Sequence, residues 1–337
     1  MVENNMKILI IGNRDRYEKY MPNIALLDKL ELIYCARDTS EAELLQQAGD
    51  AEMILVDAIT PVTENLISQM PGLKLIHSEG VAFNAIDIEA AGKMGIPVCN
   101  NKGANADAVA EQTIMLMLAC LRDAIRGHQA VQKGQQIQMK ERKMAEGIPD
   151  LADCTVGLIG FGDIAKATAK RLRAFGCQLY YYSAHQKSKE EEAEYEIAYL
   201  PLEKLLQSCD IVSLHAAVTP DTKGMVNEAF LSQMKENAFL INTARGELVN
   251  NDALRQALVK GKIAGAGFDT IAPEPTTADN PLVDLPADCS ATVVYAPHLG
   301  GITSGSFRRI YRNLWKNVER VYEGEVPVNI VNQKFLK

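Results

Sequence analysis

Short apolar runs alternate with amphipathic stretches along the first hundred residues. The apolar runs predict buried strands at residues 7–11, 30–35, 53–56, 73–77 and 96–99. The stretches between them have helical spacing and lie at residues 17–29, 41–48, 64–70 and 87–94. Strands and helices in strict alternation predict a parallel sheet that is covered by helices on both faces.

A second alternating region follows a polar break at residues 100–105, which is a candidate hinge. Its predicted strands are residues 155–159, 178–182, 211–214, 238–241, 264–268 and 292–295. Before them, residues 106–133 predict one long helix, whose apolar centre fits either a core or a dimer contact, and residues 132–149 predict a surface loop. Residues 306–322 predict an amphipathic helix that returns to the first region.

The first predicted strand of the second region runs into the glycine turn Gly160-Phe-Gly162. Gly160 allows a sharp turn, and Gly162 has no side chain, so that a pyrophosphate can approach the backbone. The free N–H groups and the dipole of the following helix would hold that anion. With Ala165 in the third position, this is a form of the dinucleotide fingerprint. The first region has only Gly12 at the equivalent turn and is the weaker candidate.

Composition mainly excludes alternatives. The 337 residues are enough for two domains, and 47% hydrophobic with 23% charged residues is typical of a globular protein. The net charge of -8, without a block of lysine and arginine, argues against nucleic acid or an anionic membrane as the partner. Seven scattered cysteines, a polar start and no apolar run of membrane-spanning length predict a cytoplasmic protein.

Polar side chains follow the predicted strands of the second region, where doubly wound sheets bind ligands. Arg245 is suited to hold a carboxylate through two parallel hydrogen bonds, or it forms a surface salt bridge. Glu274 lies between two prolines and either orients a base or belongs to an exposed turn. His77, His215 and His298 all end strands, so position alone does not choose among them. His298 would share the last sheet edge with Arg245 and Glu274 if strand order follows chain order.

These three residue types around a nicotinamide suggest a mechanism. The arginine would hold a substrate carboxylate and polarise the neighbouring carbonyl, while the histidine supplies a proton as a hydride reaches the carbon. The glutamate would accept the second imidazole N–H and favour the charged ring. The sequence contains no metal-ligand cluster, so we expect no metal.

The chain resembles the D-isomer-specific 2-hydroxyacid dehydrogenase family, which includes glyoxylate and hydroxypyruvate reductases. The resemblance covers nearly the whole chain and rests on residues 78–87, 160–164, 234–235, 240–246, 269–275 and 297–301. It implies an α/β protein of two doubly wound parallel-sheet domains. A Rossmann nucleotide-binding domain, residues 104–302, would be inserted into a flavodoxin-like substrate domain, residues 1–103 and 303–337. It also implies a homodimer formed through the nucleotide-binding domain.

The resemblance further implies roles for single residues. Arg245 would bind the substrate carboxylate and carbonyl, and His298 would be the acid/base with Glu274 as its partner. The substrate would also meet the loop formed by Ser78, Glu79, Gly80 and Val81. The residues expected at the cofactor are Gly160, Gly162, Asp163, Ile164, Ser183, His215, Ala216, Thr243, Ala244, Asp269 and Gly300.

One departure from the family pattern concerns the cofactor. Ser183 stands where an acidic residue usually follows the second strand of the fingerprint unit. Without that carboxylate, discrimination against a 2′-phosphate weakens, and Ser183, His185, Lys187 and Lys189 are placed to hold the phosphate. The sequence therefore favours NADP(H) over NAD(H). The alternative is a solvated polar loop in an NADH enzyme.

Three further departures concern other positions. Glu79 brings a negative charge to the substrate loop, and it either faces away or recognises a cationic or hydroxylated substrate tail. Gln112 replaces a common histidine and Lys102 a common proline, and neither is expected to touch the chemistry.

The predicted function is NAD(P)H-dependent interconversion of a small 2-oxo acid and a D-2-hydroxy acid. Two alternatives stay open. One is a non-catalytic NAD(H)-sensing interaction protein, because a fold does not fix a function. The other is a phosphoglycerate dehydrogenase-like enzyme, against which the sequence offers no arginine at Ser78 for a phosphate.

Overall fold

The computed structural model describes residues 5–336, and the chain divides into two compact units. Unit 1 consists of Met1–Asn105 together with Ser304–Lys337, and unit 2 consists of Ala106–Thr303. The second unit is therefore an insertion into the first. Each unit contains a parallel sheet with helices, which confirms the predicted α/β fold class.

The sheet of unit 1 has five parallel strands in the order β2-β1-β3-β4-β5, which is the flavodoxin-like order. The strands are β1 (Met6–Ile11), β2 (Leu30–Cys35), β3 (Met53–Val56), β4 (Leu75–Ser78) and β5 (Val98–Cys99). All of β3 and most of β1 are buried, because helices cover both faces of such a sheet. The continuous apolar runs of the sequence are the consequence of this double burial.

Four helices connect these strands: α1 (Arg14–Tyr20), α2 (Glu41–Ala48), α3 (Glu64–Ser68) and α4 (Ile88–Lys93). The single helix predicted for residues 17–29 is wrong. Helix α1 starts earlier, with the Asn13 side chain accepting a hydrogen bond from the Arg16 N–H. It ends at Tyr20, because Met21 precedes a proline and is extended. A separate 3₁₀ helix, Ala25–Lys29, follows.

Unit 2 opens with three helices, α5 (Ala106–Leu121), α6 (Ala124–Gln132) and α7 (Gln136–Glu146). The predicted single helix over residues 106–133 is wrong, because Asp123 adopts a left-handed conformation with φ 49° between α5 and α6. The predicted surface loop at residues 132–149 is also wrong, since α7 occupies most of it. Helix α7 buries none of its residues, so its sequence needs no apolar stripe. Its residues favour a helix only through their high helix propensity.

The seven strands of unit 2 form a parallel sheet in the order β12-β11-β10-β9-β6-β7-β8, and helices connect them. The chain order reverses between β6 and β9, and a ligand crevice is expected there. The short edge strand β8 was not predicted. The elements are β6 (Thr155–Ile159), α8 (Asp163–Phe175), β7 (Gln178–Tyr182), α9 (Lys189–Glu194), β8 (Ala198–Tyr199), α10 (Leu202–Ser208), β9 (Ile211–Leu214), α11 (Glu228–Gln233), β10 (Phe239–Asn242), α12 (Asn251–Val259), β11 (Gly265–Phe268) and β12 (Thr292–Tyr295).

The last long helix, α13 (Ser304–Tyr322), belongs to unit 1, as predicted. Its apolar residues recur at helical spacing and lie in one core cluster with Ile8 and Ile10 of β1. The fully buried side chains that α13 contributes to this cluster are Tyr311, Leu314, Trp315 and Val318. Both ends of the chain are therefore needed to complete the core of unit 1.

Candidate active site

The turn after β6 leaves an open helix start. Gly162 is the N-cap residue of α8, no side chain caps this end, and a Cβ added at Gly162 would meet nothing within 4 Å. The N–H groups of Asp163 and Ile164 lie in the first turn, where helices lack internal partners. Gly160 has φ 92°, and a Cβ there would lie 2.7 Å from the Ala216 nitrogen. This arrangement fits the pyrophosphate of a dinucleotide.

The loop after β9 begins with His215 and Ala216, which lie against the Gly160 turn. His215 Nε2 is 2.9 Å from the Ser213 Oγ, whereas its Nδ1 is buried without a hydrogen-bond partner among the described residues. Burial lowers the pKa of His215 to about 4, so the ring is neutral at pH 7. His215 therefore lines the crevice as an uncharged side chain and is a poor candidate for the acid/base.

The loop after β7 begins with Ser183, whose hydroxyl donates to the His185 carbonyl oxygen at 2.6 Å. Lys189 pairs with Glu192 at 2.6 Å. In the part of the chain that the structure describes, neither His185 nor Lys187 forms an ion pair. Of the four side chains predicted to hold a 2′-phosphate, two thus have partners within the protein.

The carboxyl ends of β10, β11 and β12 are adjacent, because these strands are neighbours in the sheet. The loop with Arg245 follows β10, the segment from Asp269 to Glu274 follows β11, and His298 follows β12. Strand order therefore follows chain order here. The three sequence-predicted residues Arg245, Glu274 and His298 lie on consecutive loops at one edge of the sheet.

Arg245 is exposed, and its Nη1 donates to the Ala244 carbonyl oxygen at 2.7 Å. Among residues 5–336, no carboxylate lies within ion-pair distance of it, so it is not the surface salt bridge of the alternative interpretation. The next residue fixes the loop: a Cβ on Gly246 would lie 2.0 Å from the Ala272 nitrogen. Only glycine allows the backbones of the loops after β10 and β11 to approach this closely.

His298 and Glu274 form a direct pair. The His298 Nδ1 lies 3.0 Å from both Glu274 carboxylate oxygens, and the two side chains are 45% and 46% exposed. This leaves Nε2 available on the accessible side of the ring. A cavity of about 580 Å³ adjoins the pair and has a largely apolar lining, which includes Ile271, Pro275, Val283, Tyr295 and Pro297.

Asp269 anchors the backbone that follows His298. Its carboxylate accepts hydrogen bonds from the N–H groups of Leu299 and Gly300, each at 2.9 Å. Gln112 donates to the same carboxylate at 3.1 Å, so it contacts the proposed acid/base only through Asp269. His298 itself has φ 56°, in the left-handed region that non-glycine residues rarely adopt. The Asp269 cluster thus holds the imidazole in an otherwise unfavourable backbone conformation.

Thr243 and Ala244, which were expected near the cofactor, are both buried. The Thr243 Oγ1 lies 2.8 Å from the Thr113 Oγ1 of α5. Because the Thr113 hydroxyl donates to the Val109 carbonyl oxygen, Thr243 is the donor of this bond. Its side chain therefore points towards helix α5, and a ligand would meet the backbone of this segment.

The loop after β4 in unit 1 is tied by polar groups. The Ser78 hydroxyl donates to the Ala82 carbonyl oxygen at 2.6 Å, and the Gly80 N–H donates to the Ser78 Oγ at 3.3 Å. The Asn100 side chain donates to the Val81 carbonyl oxygen at 2.7 Å. This loop, residues 78–81, therefore has a defined conformation within unit 1.

Two asparagines that sequence reasoning treated only as part of a hinge support this loop. Asn100 and Asn101 are buried and directly follow β5, the neighbour of β4. The Asn101 side chain donates to the Glu79 carbonyl oxygen, and its N–H donates to the Gly80 carbonyl oxygen, both at 2.9 Å. The feature of the sequence that could have indicated this role is the pair of adjacent amide side chains directly after a buried strand.

Glu79 is only 4% exposed and faces Arg16 and Tyr311. Both of its carboxylate oxygens have partners inside unit 1. This arrangement favours a Glu79 that faces away from a substrate over one that recognises a cationic or hydroxylated substrate tail.

No helix among residues 5–336 is both long and apolar enough to cross a bilayer. Within the same residues, histidine, cysteine and acidic side chains do not gather in threes as metal ligands would. The cysteines are free thiols, and most of them are buried.

A doubly wound sheet with an open glycine turn and an imidazole–carboxylate pair at its carboxyl edge defines a class, the dinucleotide-dependent oxidoreductases. Residues 114–300 match the model of "D-isomer specific 2-hydroxyacid dehydrogenase, NAD binding domain". The chain belongs to the D-isomer-specific 2-hydroxyacid dehydrogenase family.

Relatives extend the similarity over the whole chain. A glyoxylate reductase from Thermococcus litoralis is 36% identical over 334 residues, which is 98% of each chain. A hydroxypyruvate reductase from Thermotoga maritima is 33% identical and covers 88% of this chain and 92% of its own. The solved structure of D-lactate dehydrogenase from Aquifex aeolicus, complexed with NAD and lactic acid, has a TM-score of 0.79 at 31% identity, with 96% and 99% of the two chains covered.

Proposed function

We propose that this protein interconverts a small 2-oxo acid and a D-2-hydroxy acid by hydride exchange with a nicotinamide cofactor. The observation that carries the proposal is the His298–Glu274 pair on the loops next to an unpaired Arg245, in a chain of this family. Glyoxylate and hydroxypyruvate, after which relatives are named, are the first substrates to test.

Arg245 is assigned the substrate carboxylate and the adjacent carbonyl oxygen. Its planar guanidinium presents paired N–H donors that match a carboxylate, and no acidic side chain among the described residues competes for them. The close packing at Gly246 fixes the loop that carries it. A fixed cation beside the carbonyl stabilises the negative charge that develops on its oxygen during reduction.

His298 is assigned the proton transfer. In reduction, its Nε2–H donates to the carbonyl oxygen; in oxidation, Nε2 accepts the hydroxyl proton. Glu274 accepts the hydrogen bond from Nδ1–H, which orients the ring and stabilises its charged form. The nicotinamide, when bound, supplies or accepts the hydride, and the N–H groups of Asp163 and Ile164 would hold its pyrophosphate.

Unit 1 is assigned the role of substrate domain and unit 2 that of nucleotide-binding domain. From the family resemblance, the N–H groups of the loop at residues 78–81 bind the substrate carboxylate. The hydrogen bonds from Asn100 and Asn101 support this assignment, because they use the loop carbonyl oxygens and leave the Val81 N–H unused.

The finer proposal for the cofactor is a preference for NADP(H). Ser183 occupies the position after β7 where a carboxylate would repel a 2′-phosphate, and His185 and Lys187 are available to attract it. Lys189 contributes less than the sequence suggested, because Glu192 neutralises it.

The assembly and the location are proposed as a homodimer in the cytoplasm. Dimerisation through unit 2 is supported by the exposed apolar side chains of α6 and α7, among them Val131, Ile137 and Met144. A reducing compartment is supported by the free thiols.

The test is the initial rate of NADPH or NADH consumption with glyoxylate, hydroxypyruvate, pyruvate and branched 2-oxo acids. We expect Arg245→Ala and His298→Ala each to lower kcat/KM by roughly 10²–10⁴-fold while the cofactor Kd stays unchanged. Arg255→Ala, which removes an arginine that donates to the Asp284 carbonyl oxygen in the same unit, is the matched control.

Full activity in either site variant would contradict the site assignment. If the wild type turned over none of these acids but bound the cofactor tightly, the proposed enzymatic function would be replaced by the alternative, a non-catalytic NAD(H)-sensing interaction protein. Faster turnover with NADH than with NADPH would contradict the cofactor preference alone.

A further inference from the structure

Glu79, Arg16 and Tyr311 form a buried cluster in unit 1 directly before the proposed substrate loop. The Arg16 Nε and Nη2 donate to the two Glu79 carboxylate oxygens at 2.5 and 2.6 Å. The Tyr311 hydroxyl donates to Oε1 at 2.6 Å. Arg16 lies on α1 and Tyr311 on α13, so one carboxylate joins three separate elements.

The protonation states of this cluster are those of an ion pair. Burial is the largest single effect on Arg16 and would lower its pKa, but the hydrogen bonds and charges of Glu79 and Tyr311 together outweigh it and raise the pKa. Burial and the neighbouring carboxylate raise the pKa of Tyr311, which therefore stays a donor. The side chains thus carry one negative and one positive charge, which cancel.

The position of Glu79 is fixed by its backbone as well. Its N–H donates to the Val56 carbonyl oxygen at 2.6 Å, and its carbonyl oxygen accepts from the Asn101 side chain at 2.9 Å. With both backbone groups and the carboxylate engaged, Glu79 cannot turn its charge away to solvent. The charge remains at a fixed place beside Gly80 and Val81.

A fixed carboxylate at this place matters for an anionic ligand. Glu79 directly precedes Gly80 and is two residues before Val81, whose N–H has no partner among the described residues. A buried charge is screened less than an exposed one. An unpaired Glu79 would therefore repel a substrate carboxylate bound to the Val81 N–H.

We propose that Arg16 is a positioning residue that neutralises Glu79 and so permits the loop at residues 78–81 to bind an anionic substrate. This inference rests on the proposed function, which gives that loop the substrate carboxylate. It predicts an asymmetry between the two partners, since loss of the cation leaves a repulsive charge and loss of the anion does not.

The experiment compares Arg16→Met, Glu79→Gln and the double variant R16M/E79Q. We expect Arg16→Met to raise the KM for the 2-oxo acid on the order of 10- to 100-fold, with kcat and the cofactor Kd within about twofold of the wild type. Glu79→Gln should change KM by less than about threefold. The double variant, which is neutral again, should regain most of the lost affinity.

A purely structural role gives a different pattern. If the pair only braced the loop, Glu79→Gln would raise KM as much as Arg16→Met, and the double variant would not recover; that pattern would overturn the proposal. Should Arg16→Met not fold, Arg16→Gln takes its place. A tenfold rise of KM in Glu79→Gln or in the double variant, both of which remove Glu79, also overturns the proposal. Lys7→Met is the matched control, because Lys7 pairs with Asp50 at the opposite end of the same sheet.

Binding of oxalate, measured by calorimetry for the same variants, separates this inference from the proposed function. A wild type that turns over 2-oxo acids, with variants that bind oxalate equally well, would refute only the role of Arg16. A wild type that neither turns over these acids nor binds oxalate would refute the proposed function itself.

Discussion

The three histidines that end predicted strands have different surroundings. His77 is fully buried; its Nδ1–H donates to the Ser78 carbonyl oxygen, and its Nε2 accepts from the Asn317 side chain. The Asn317 orientation is fixed, because its Oδ1 accepts from the Val328 N–H. His77 thus has both ring nitrogens satisfied in the neutral form. His298 alone of the three faces a carboxylate within the described residues.

His77 should make the protein less stable in acid. Burial lowers its pKa from 6.5 to about 4, so the unfolded chain binds a proton before the folded chain does. Its contribution is complete above pH 6.5 and is lost as the pH falls towards 4, by up to about 3 kcal/mol. Urea unfolding at pH 7.5, 6 and 5 measures this loss.

His77→Gln should reduce that pH dependence while lowering stability at pH 7.5, and the part that remains belongs to His215, whose pKa burial also lowers to about 4. His128→Gln, which changes an exposed histidine of α6, should leave the pH dependence as it is. An unchanged pH dependence in His77→Gln would contradict the assignment of the acid sensitivity to His77.

At the scale of elements, a buried acidic residue organises the first helices of unit 2. Asp123 is 2% exposed, and it pairs with Arg126 at 2.7 Å and with Lys143 of α7 at 3.0 Å. Arg126 also donates to the Ser290 carbonyl oxygen, next to β12. Burial alone would raise the pKa of Asp123, but the hydrogen bonds from Arg126 and Lys143 lower it. Asp123 therefore joins α6, α7 and the edge of the sheet.

We expect Asp123→Asn to destabilise the protein by about 1–3 kcal/mol, because it removes the only carboxylate that pairs with Arg126 among the described residues and one of the two that pair with Lys143. Asparagine tolerates the left-handed backbone at this position, so the change tests the charge and not the turn. The free energy of unfolding in urea is the measurement. Asp150→Asn removes the exposed pair with Arg122 and should lower the free energy of unfolding by less than about 0.5 kcal/mol. An equal loss of stability in both variants would argue against Asp123 as the residue that joins α6, α7 and the edge of the sheet.

At the scale of the whole molecule, the exposed apolar residues of α6 and α7 are the basis for the proposed homodimer. Val131 is 60% exposed and Met144 is 73% exposed. We expect the wild type to sediment as a dimer, and Val131→Lys with Met144→Lys to shift it to the monomer, because a buried lysine pair is costly at an apolar interface. Val326→Lys, at a valine of unit 1 that is 73% exposed, is the control. A monomeric wild type would contradict the proposal.

The sequence by itself determined the α/β fold class and its two regions of alternating strands and helices. Strands that are buried on both faces are continuous apolar runs, so their order along the chain was readable and the buried strands β3, β6 and β9 were placed correctly. Glycines that allow close backbone approach, such as Gly160, were also visible because no other residue fits there.

The sequence could not decide local conformations that depend on distant partners. Helix α7 buries none of its residues and so lacks the apolar stripe by which a helix is recognised. Asp123, at the break between α5 and α6, pairs with Arg126 and with Lys143 of α7. A residue and its distant partner leave no periodic signal in the chain, so these features were mispredicted.

Only the tertiary structure decided what each charged side chain faces. Glu79 was equally compatible with a substrate contact and an internal pair until α1 and α13 brought Arg16 and Tyr311 to it. The contact between Gln112 of α5 and Asp269 was likewise not foreseen from the sequence. A charged side chain interacts with whichever groups the fold brings within a few ångströms of it. The hydrophobic pattern of a sequence predicts which residues are buried, but it does not predict the distance between two charged groups that lie far apart in the chain.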